Sequence, residues 1–212
     1  MRPVLTALFA LSGLTLAASA QQWEVGGLGG FAYSPKWSVK SSTGGQADAG
    51  FKSGGAIGAW GANNGRQIGG EIRYLYRYGS GELTGNGATQ SFSAHQQTVT
   101  YNVLWHFADR GQAVRPYIAF GGGARWVQGT GRQVAVPPLY NYGAFIQGTE
   151  VLPVVDLGAG VKFRAGYHGI IRLEIRDYFG PLPSKVFTAA PSATTSGWFH
   201  DLMPMVGLGF AF

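Results

Sequence analysis

The sequence predicts an all-β chain closed into an eight-stranded antiparallel up-and-down transmembrane β-barrel, and three observations predict it. Apolar residues alternate with small or polar ones at a period of two, eight segments carry that alternation, and short and long connections take turns between them. Period-2 alternation is the mark of strands with two unlike faces. An even strand count suits an antiparallel barrel that begins and ends on the same side of a membrane.

Before the first strand, residues 1–20 (MRPVLTALFALSGLTLAASA) place Arg2 ahead of an apolar stretch and end on small residues, Ala18 and Ala20. That build predicts a secretory signal peptide cleaved after Ala20, leaving residues 21–212 as one barrel domain. The apolar stretch is shorter than the roughly 20 residues of a spanning helix, and Gln21 and Gln22 follow without a Lys/Arg stop-transfer cluster. Beyond it no run approaches that length.

Four strands are strongly marked. From Thr98 to Phe107 the residues Val99, Tyr101, Val103, Trp105 and Phe107 share one face. From Leu152 to Arg164 every charge falls on the face opposite Val155, Leu157, Val161 and Phe163. From Ile170 to Tyr178, Arg172, Glu174 and Arg176 oppose Ile171, Leu173 and Ile175, and from Gly70 to Tyr78, Glu71, Arg73 and Arg77 oppose Ile72, Tyr74, Tyr76 and Tyr78. Weaker strands are expected at 22–32, 50–61, 117–127 and 202–212. Short turns are expected near 63–67, 108–114 and 165–169, and long polar loops at 34–49, 79–90, 128–148 and 179–197. Short turns belong on the periplasmic side of an outer membrane and long loops outside.

The charges decide which face points inward. A narrow eight-stranded barrel would be overpacked by the aromatics of Thr98 to Phe107, whereas Gly, Ala, Thr and paired charges fit it. With the bulky face turned to lipid, closure also satisfies every strand hydrogen bond, as hydrocarbon demands. Parity then places Glu71, Arg73, Arg77, Arg125, Asp156, Lys162, Arg164, Arg172, Glu174 and Arg176 in a lumen charge network, with Glu24, Glu150 and Asp201 also inside. Nearly balanced signs predict a salt-bridged plug rather than an ion-selective channel. Trp23, Trp60, Trp105, Phe107, Phe210 and Phe212 would form one aromatic girdle, and Tyr74, Tyr76, Trp126 and Trp198 the other.

Several chemistries are set aside. The chain has no cysteine, so disulfides, Cys-ligated zinc and thiol catalysis are excluded. The four histidines lack metal-ligand spacing, and no cofactor is expected. The 16 basic and 10 acidic residues are scattered singly, which does not point to nucleic acid. Ser93 with His95 and His200 with Asp201 are the nearest approach to a hydrolytic constellation, and both are short pairs of a kind that recurs by chance. The 35 glycines have no following helix where they cluster, so they read as small inward residues rather than phosphate loops.

With these features the sequence resembles the OmpA/OmpX-type superfamily of eight-stranded outer-membrane barrels over essentially all of residues 21–212. The carriers are WGANNGRQIGGEIRYLY (60–76), IIRLEIRDYFG (170–180) and the ending MVGLGFAF, where Val206, Leu208, Phe210 and Phe212 alternate. The resemblance implies a C-terminal signal read by the barrel-assembly machinery, passage with periplasmic chaperones, and residence in outer-membrane lipid. It is to the bare-barrel subset, without a peptidoglycan-binding domain.

The function expected is a structural or surface-interaction role through extracellular loops, with an unidentified surface ligand, and no enzymatic activity. The alternatives are a small pore and, behind it, a lipid-modifying enzyme. Within the loop 128–148, Tyr140, Tyr142 and Phe145 are candidate contacts, since aromatic groups on an exposed loop form binding surfaces.

Overall fold

The computed structural model describes residues 22–42, 44–132 and 139–212, with the backbone alone described at Tyr140; the expected leader and its cleavage site at Ala20 lie outside them. Among the described residues there are thirteen strands, in the order β1 (Trp23–Ala32), β2 (Trp37–Ser41), β3 (Gln46–Phe51), β4 (Gly54–Asn64), β5 (Ile68–Gly85), β6 (Ala88–His106), β7 (Val114–Gly129), β8 (Gly143–Phe145), β9 (Gly148–Ala165), β10 (Gly169–Gly180), β11 (Phe187–Ala189), β12 (Ala193–Ser196) and β13 (Phe199–Ala211). Eight of them, β1, β4, β5, β6, β7, β9, β10 and β13, pair antiparallel with their ring neighbours, and β1 pairs with both β4 and β13, so the ring closes.

Side-chain alternation divides the ring. On β6 the residues Tyr101, Val103 and Trp105 are exposed and Thr100, Asn102 and Leu104 buried; on β10 Ile171, Leu173 and Ile175 are exposed and Arg172, Glu174 and Arg176 buried. The face that is apolar is the outer one. Such a surface is stable only against hydrocarbon, since a soluble fold does not leave an apolar belt of this extent in water. On β5 the outward apolar set begins at Ile68 and ends at Tyr78, a length matching the roughly 9–11 residues of a tilted membrane strand.

The two ends of the ring differ. At the turn end the connections are short, as the sequence implies. At the loop end the strands continue: β5 and β6 stay in register up to Gly85 opposite Ala88. The two-residue turn Asn86-Gly87, with φ of 49° and 76°, joins them in the left-handed geometry of a tight hairpin. The segment 79–90, expected as a loop, is therefore mostly strand, because Gly81 and Leu83 face inward while Ser80, Glu82 and Thr84 alternate with them. Likewise 34–49 folds as the hairpin β2–β3, β3 taking the seat beside β5 that β4 leaves, and β12 pairs onto β2.

Glycines in the wall accommodate large inward groups. A Cβ on Gly26 would stand 2.4 Å from Trp60, and one on Gly207 or Gly209 would stand 2.8 Å from the same indole. Trp60, expected in a girdle, is instead buried in the lumen: it follows the inward parity of Ala56 and Ala62, and three glycines leave it a trough. The exposed positions of Trp23, Trp105, Phe107, Phe210 and Phe212 keep the rest of that girdle on the outer surface.

Candidate functional site

The lumen is filled in two layers. In the membrane-level layer, three arginines and three carboxylates meet. Glu71 on β5 accepts from Arg73 at 3.0 Å, from Arg172 at 2.7 Å and from Arg176 at 2.9 Å. Glu174 on β10 accepts from Arg73 at 2.9 Å and from the Tyr117 hydroxyl at 2.6 Å, while Arg172 donates to that hydroxyl at 2.9 Å. Asp156 on β9 accepts from Arg176 at 3.3 Å. Each ion stands on a strand and points at ions of other strands, so one network ties the wall together. Multiple hydrogen bonds to each ion are what makes burial of these charges tolerable.

Above this cluster Asp201 lies between Arg77 at 3.1 Å and Arg125 at 3.4 Å, and Ser34 donates to it as well. Below it Lys162 donates to Glu24 at 2.6 Å and to the Asn64 side chain at 2.9 Å. Arg172 also lies over the Trp60 ring, 4.6 Å from its centroid. Glu71, Arg73, Arg77, Arg125, Asp156, Lys162, Arg172, Glu174 and Arg176 are thus brought together inside.

Arg164 is not. It is exposed at the rim, where β9 ends, and donates to the Gly111 carbonyl at 3.1 Å. Its parity is inward, but one residue from the strand end the wall no longer encloses it. Glu150 also leaves the network: near the loop end its carboxylate accepts from Ser184 at 3.1 Å and from the Lys185 amide at 2.7 Å. Arg115 joins the lumen instead, buried and donating to the carbonyls of Ala108, Gly65 and Arg66. The signal for it was the alternation of Val114, Pro116 and Ile118, which extends β7 three residues before Tyr117.

The second layer lies at the loop end and is apolar. Trp37, Phe51, Phe92, Phe145, Phe187 and Phe199 are buried together with Leu83, Val127, Leu139 and Val186. Phe145 sits 5.9, 5.8 and 5.0 Å from the rings of Phe51, Phe92 and Phe187. Arg125 covers the junction of the layers, 4.3 Å from the Phe199 ring centroid. This plug corrects the reading of the 128–148 loop. Tyr142 and Phe145 are 2% and 1% exposed, so neither offers a contact surface, and the Tyr140 side chain lies outside the described residues. Loop aromatics went inward because an extended wall gave them an interior to fill.

Neither hydrolytic pair forms a constellation. Ser93 and His95 share the outer face, where His95 stacks on Tyr76 at 5.5 Å. His200 and Asp201 lie on opposite faces of β13: the histidine contacts Asp177 at 3.0 Å on the outside, and the aspartate is in the lumen. Among the described residues no three His, Asp or Glu groups are placed to hold a metal. At the chain end Val206, Leu208, Phe210 and Phe212 all point outward and are exposed.

Neither known protein-family profiles nor curated protein sequences match this chain. Solved structures do. Neisserial surface protein A superposes with a TM-score of 0.57 at 12% identity, covering 92% of this chain and 99% of that one. The outer membrane protein OprG from Pseudomonas aeruginosa superposes with a TM-score of 0.59 at 13% identity, covering 91% and 96%. At these identities the likeness is one of architecture: this chain shares with both proteins the fold of an eight-stranded antiparallel β-barrel.

Proposed function

We propose that the protein is an integral β-barrel of a bacterial outer membrane, exported by a leader cleaved after Ala20, that works as a closed scaffold presenting a rigid surface outside the cell. The observation that carries this reading is the double seal of the lumen, ionic at membrane level and apolar above it. A channel needs a continuous wet path, and the ten buried apolar side chains at the loop end support a closed lumen instead.

The surface-interaction role then falls to the outward faces of the extended strands. Ser91 and Ser93 on β6, Lys40 on β2 and Thr194, Thr195 and Ser196 on β12 are exposed there. This is a polar, hydroxyl-rich surface on regular backbone, unlike the aromatic loop expected. It supports recognition by hydrogen bonds over a preformed shape, which costs little ordering on binding. Catalysis has no support in the arrangement of Ser, His and acidic groups described above. The outward Val206, Leu208, Phe210 and Phe212 are the surface that the assembly machinery would read before the barrel closes.

Orientation is the first test, and the lack of cysteine makes it direct. A Ser91→Cys variant in intact cells is expected to react with a membrane-impermeant maleimide, and a Gln67→Cys variant to react only after the envelope is opened. The reverse pattern would overturn the proposed topology. Shortening the β5–β6 hairpin by removing residues 82–91 is expected to abolish cell adhesion to immobilised glycans or matrix proteins while heat-modifiable mobility persists. Adhesion unchanged by that deletion would remove the hairpin from the role.

A further inference from the structure

We propose that the turn end of the barrel holds an anion site for a phosphate group, built around Arg110, Arg115 and Arg164. A cavity of about 50 Å³ lies there between the turn that follows β6 and the turn that joins β9 to β10. That is several times the ~10–15 Å³ a single water requires, and it suits a group of a few heavy atoms rather than a sugar or peptide.

Its lining is strongly one-signed. Arg110, Arg115, Lys162 and Arg164 face the cavity with one acid, Glu24. Glu24 is engaged by Lys162 at 2.6 Å, and Asp109 in the adjoining turn is held by Arg66 at 3.0 Å. Among the described residues no carboxylate stands within ion-pair distance of Arg110, Arg115 or Arg164. Arg115 is the most telling of the three. It is 5% exposed and donates to three carbonyls, at 3.1, 2.9 and 2.9 Å, while Glu24 and Asp109 act on it only through space, each already held by another cation. A buried cation without a direct salt bridge is costly, and an anion in the adjacent cavity relieves that cost.

Three guanidiniums around one small space match a tetrahedral phosphate, whose oxygens accept several charge-assisted hydrogen bonds at once, better than a planar carboxylate that two donors satisfy. The level of the site points to a source. Tyr167, also on the lining, is 87% exposed, and the neighbouring His168 stacks on Phe210 at 4.9 Å, beside the exposed Phe212. Aromatic girdles mark the depth of lipid headgroups. With the turn end facing the periplasm, as the proposed topology has it, the phosphodiester of a phospholipid in the inner leaflet lies at this height; free phosphate offers the same chemistry.

The test uses the folded barrel in detergent and the R110Q/R164Q variant, both substitutions lying at the exposed rim outside the ionic network. Phosphorus NMR follows inorganic phosphate, and native mass spectrometry follows added phosphatidylglycerol, with sodium acetate as the control at equal ionic strength. Binding of either phosphate compound by the wild type, weakened about tenfold in the variant with heat-modifiable mobility unchanged, supports the site. Retention of phosphatidylglycerol assigns it to a lipid headgroup, and inorganic phosphate alone assigns it to a free ion. Equal behaviour of wild type and variant, binding of neither compound, or acetate bound as well as phosphate would overturn it. None of these outcomes depends on orientation, so failure here and failure of the topology are separable.

Discussion

Glu71 and Arg172 stand four places apart in the ring of eight strands, on β5 and β10, and the arginine donates to the carboxylate across the lumen at 2.7 Å. The contact spans the full width of the barrel. Eight strands give an interior that side chains can cross, so opposite walls are tied directly rather than through a pore.

Removing that acceptor tests the network. Glu71→Ala leaves Arg73, Arg172 and Arg176 without their shared carboxylate and is expected to cost about 3–5 kcal/mol, the penalty for breaking a buried pair while its partners remain. Urea unfolding in lipid vesicles followed by tryptophan fluorescence reads the loss. A variant as stable as the wild type would show that the network does not tie the walls.

Conductance tests the seal in parts. Wild-type barrels in planar bilayers are expected to pass no current. F145A is expected to remain closed, because the ionic layer still fills the membrane-level lumen; E71A combined with F145A opens both layers and is the variant in which current is expected. Steady current through the wild type would contradict a closed scaffold.

The glycine trough predicts a size limit. Gly26→Val places carbon where the Trp60 ring already stands, and the Leu208 carbonyl 2.5 Å away prevents the wall from yielding. A loss of about 1–3 kcal/mol is expected. Trp60→Leu in the same chain should recover part of it, and a double variant no better than the single one would place the strain elsewhere.

The apolar plug predicts a local effect. Phe145→Ala is expected to lower stability by about 3–5 kcal/mol, with the loss concentrated at the loop end. Limited proteolysis should then cut the loop-end segments while the membrane-level strands stay protected. Uniform protection would mean that Phe145 is not holding the extension together.

Glu82 is one source of acid sensitivity outside the membrane. The hydrogen bond from Lys36 at 2.5 Å, with Lys52 at 3.1 Å, holds its carboxyl below the usual glutamate range. A folded value below the unfolded one contributes stability at pH above the unfolded value, lost as pH falls through the folded one. Since both lysines are partly exposed, the effect is small. Carboxyl carbon NMR should show the Glu82 midpoint rising in K36Q; an unmoved midpoint would sever that assignment.

What was legible in the sequence followed from period 2. Alternation along Thr98 to Phe107 and Ile170 to Tyr178 is enough to name strands, choose the lipid face and place Arg172, Glu174 and Arg176 inside, because each depends only on neighbours along the chain. The places where the reading failed share a cause. Arg164 and Arg115 changed places because a wall encloses a side chain only where neighbouring strands reach the same height. Trp60 went inward because glycines from β1 and β13, distant in sequence, opened a trough for it.

The loop end shows the same division. Nothing local in residues 79–90 or 142–145 reveals that β3 will extend the wall beside β5, or that Phe145 will meet Phe51, Phe92 and Phe187 within it. By itself the sequence determined a closed barrel with charges inside and aromatics facing lipid. Tertiary structure alone decided how those charges pair, that an apolar plug caps them, and which cations find carbonyls rather than a carboxylate among the described residues, because each is a question of distance between strands that the chain's order does not contain.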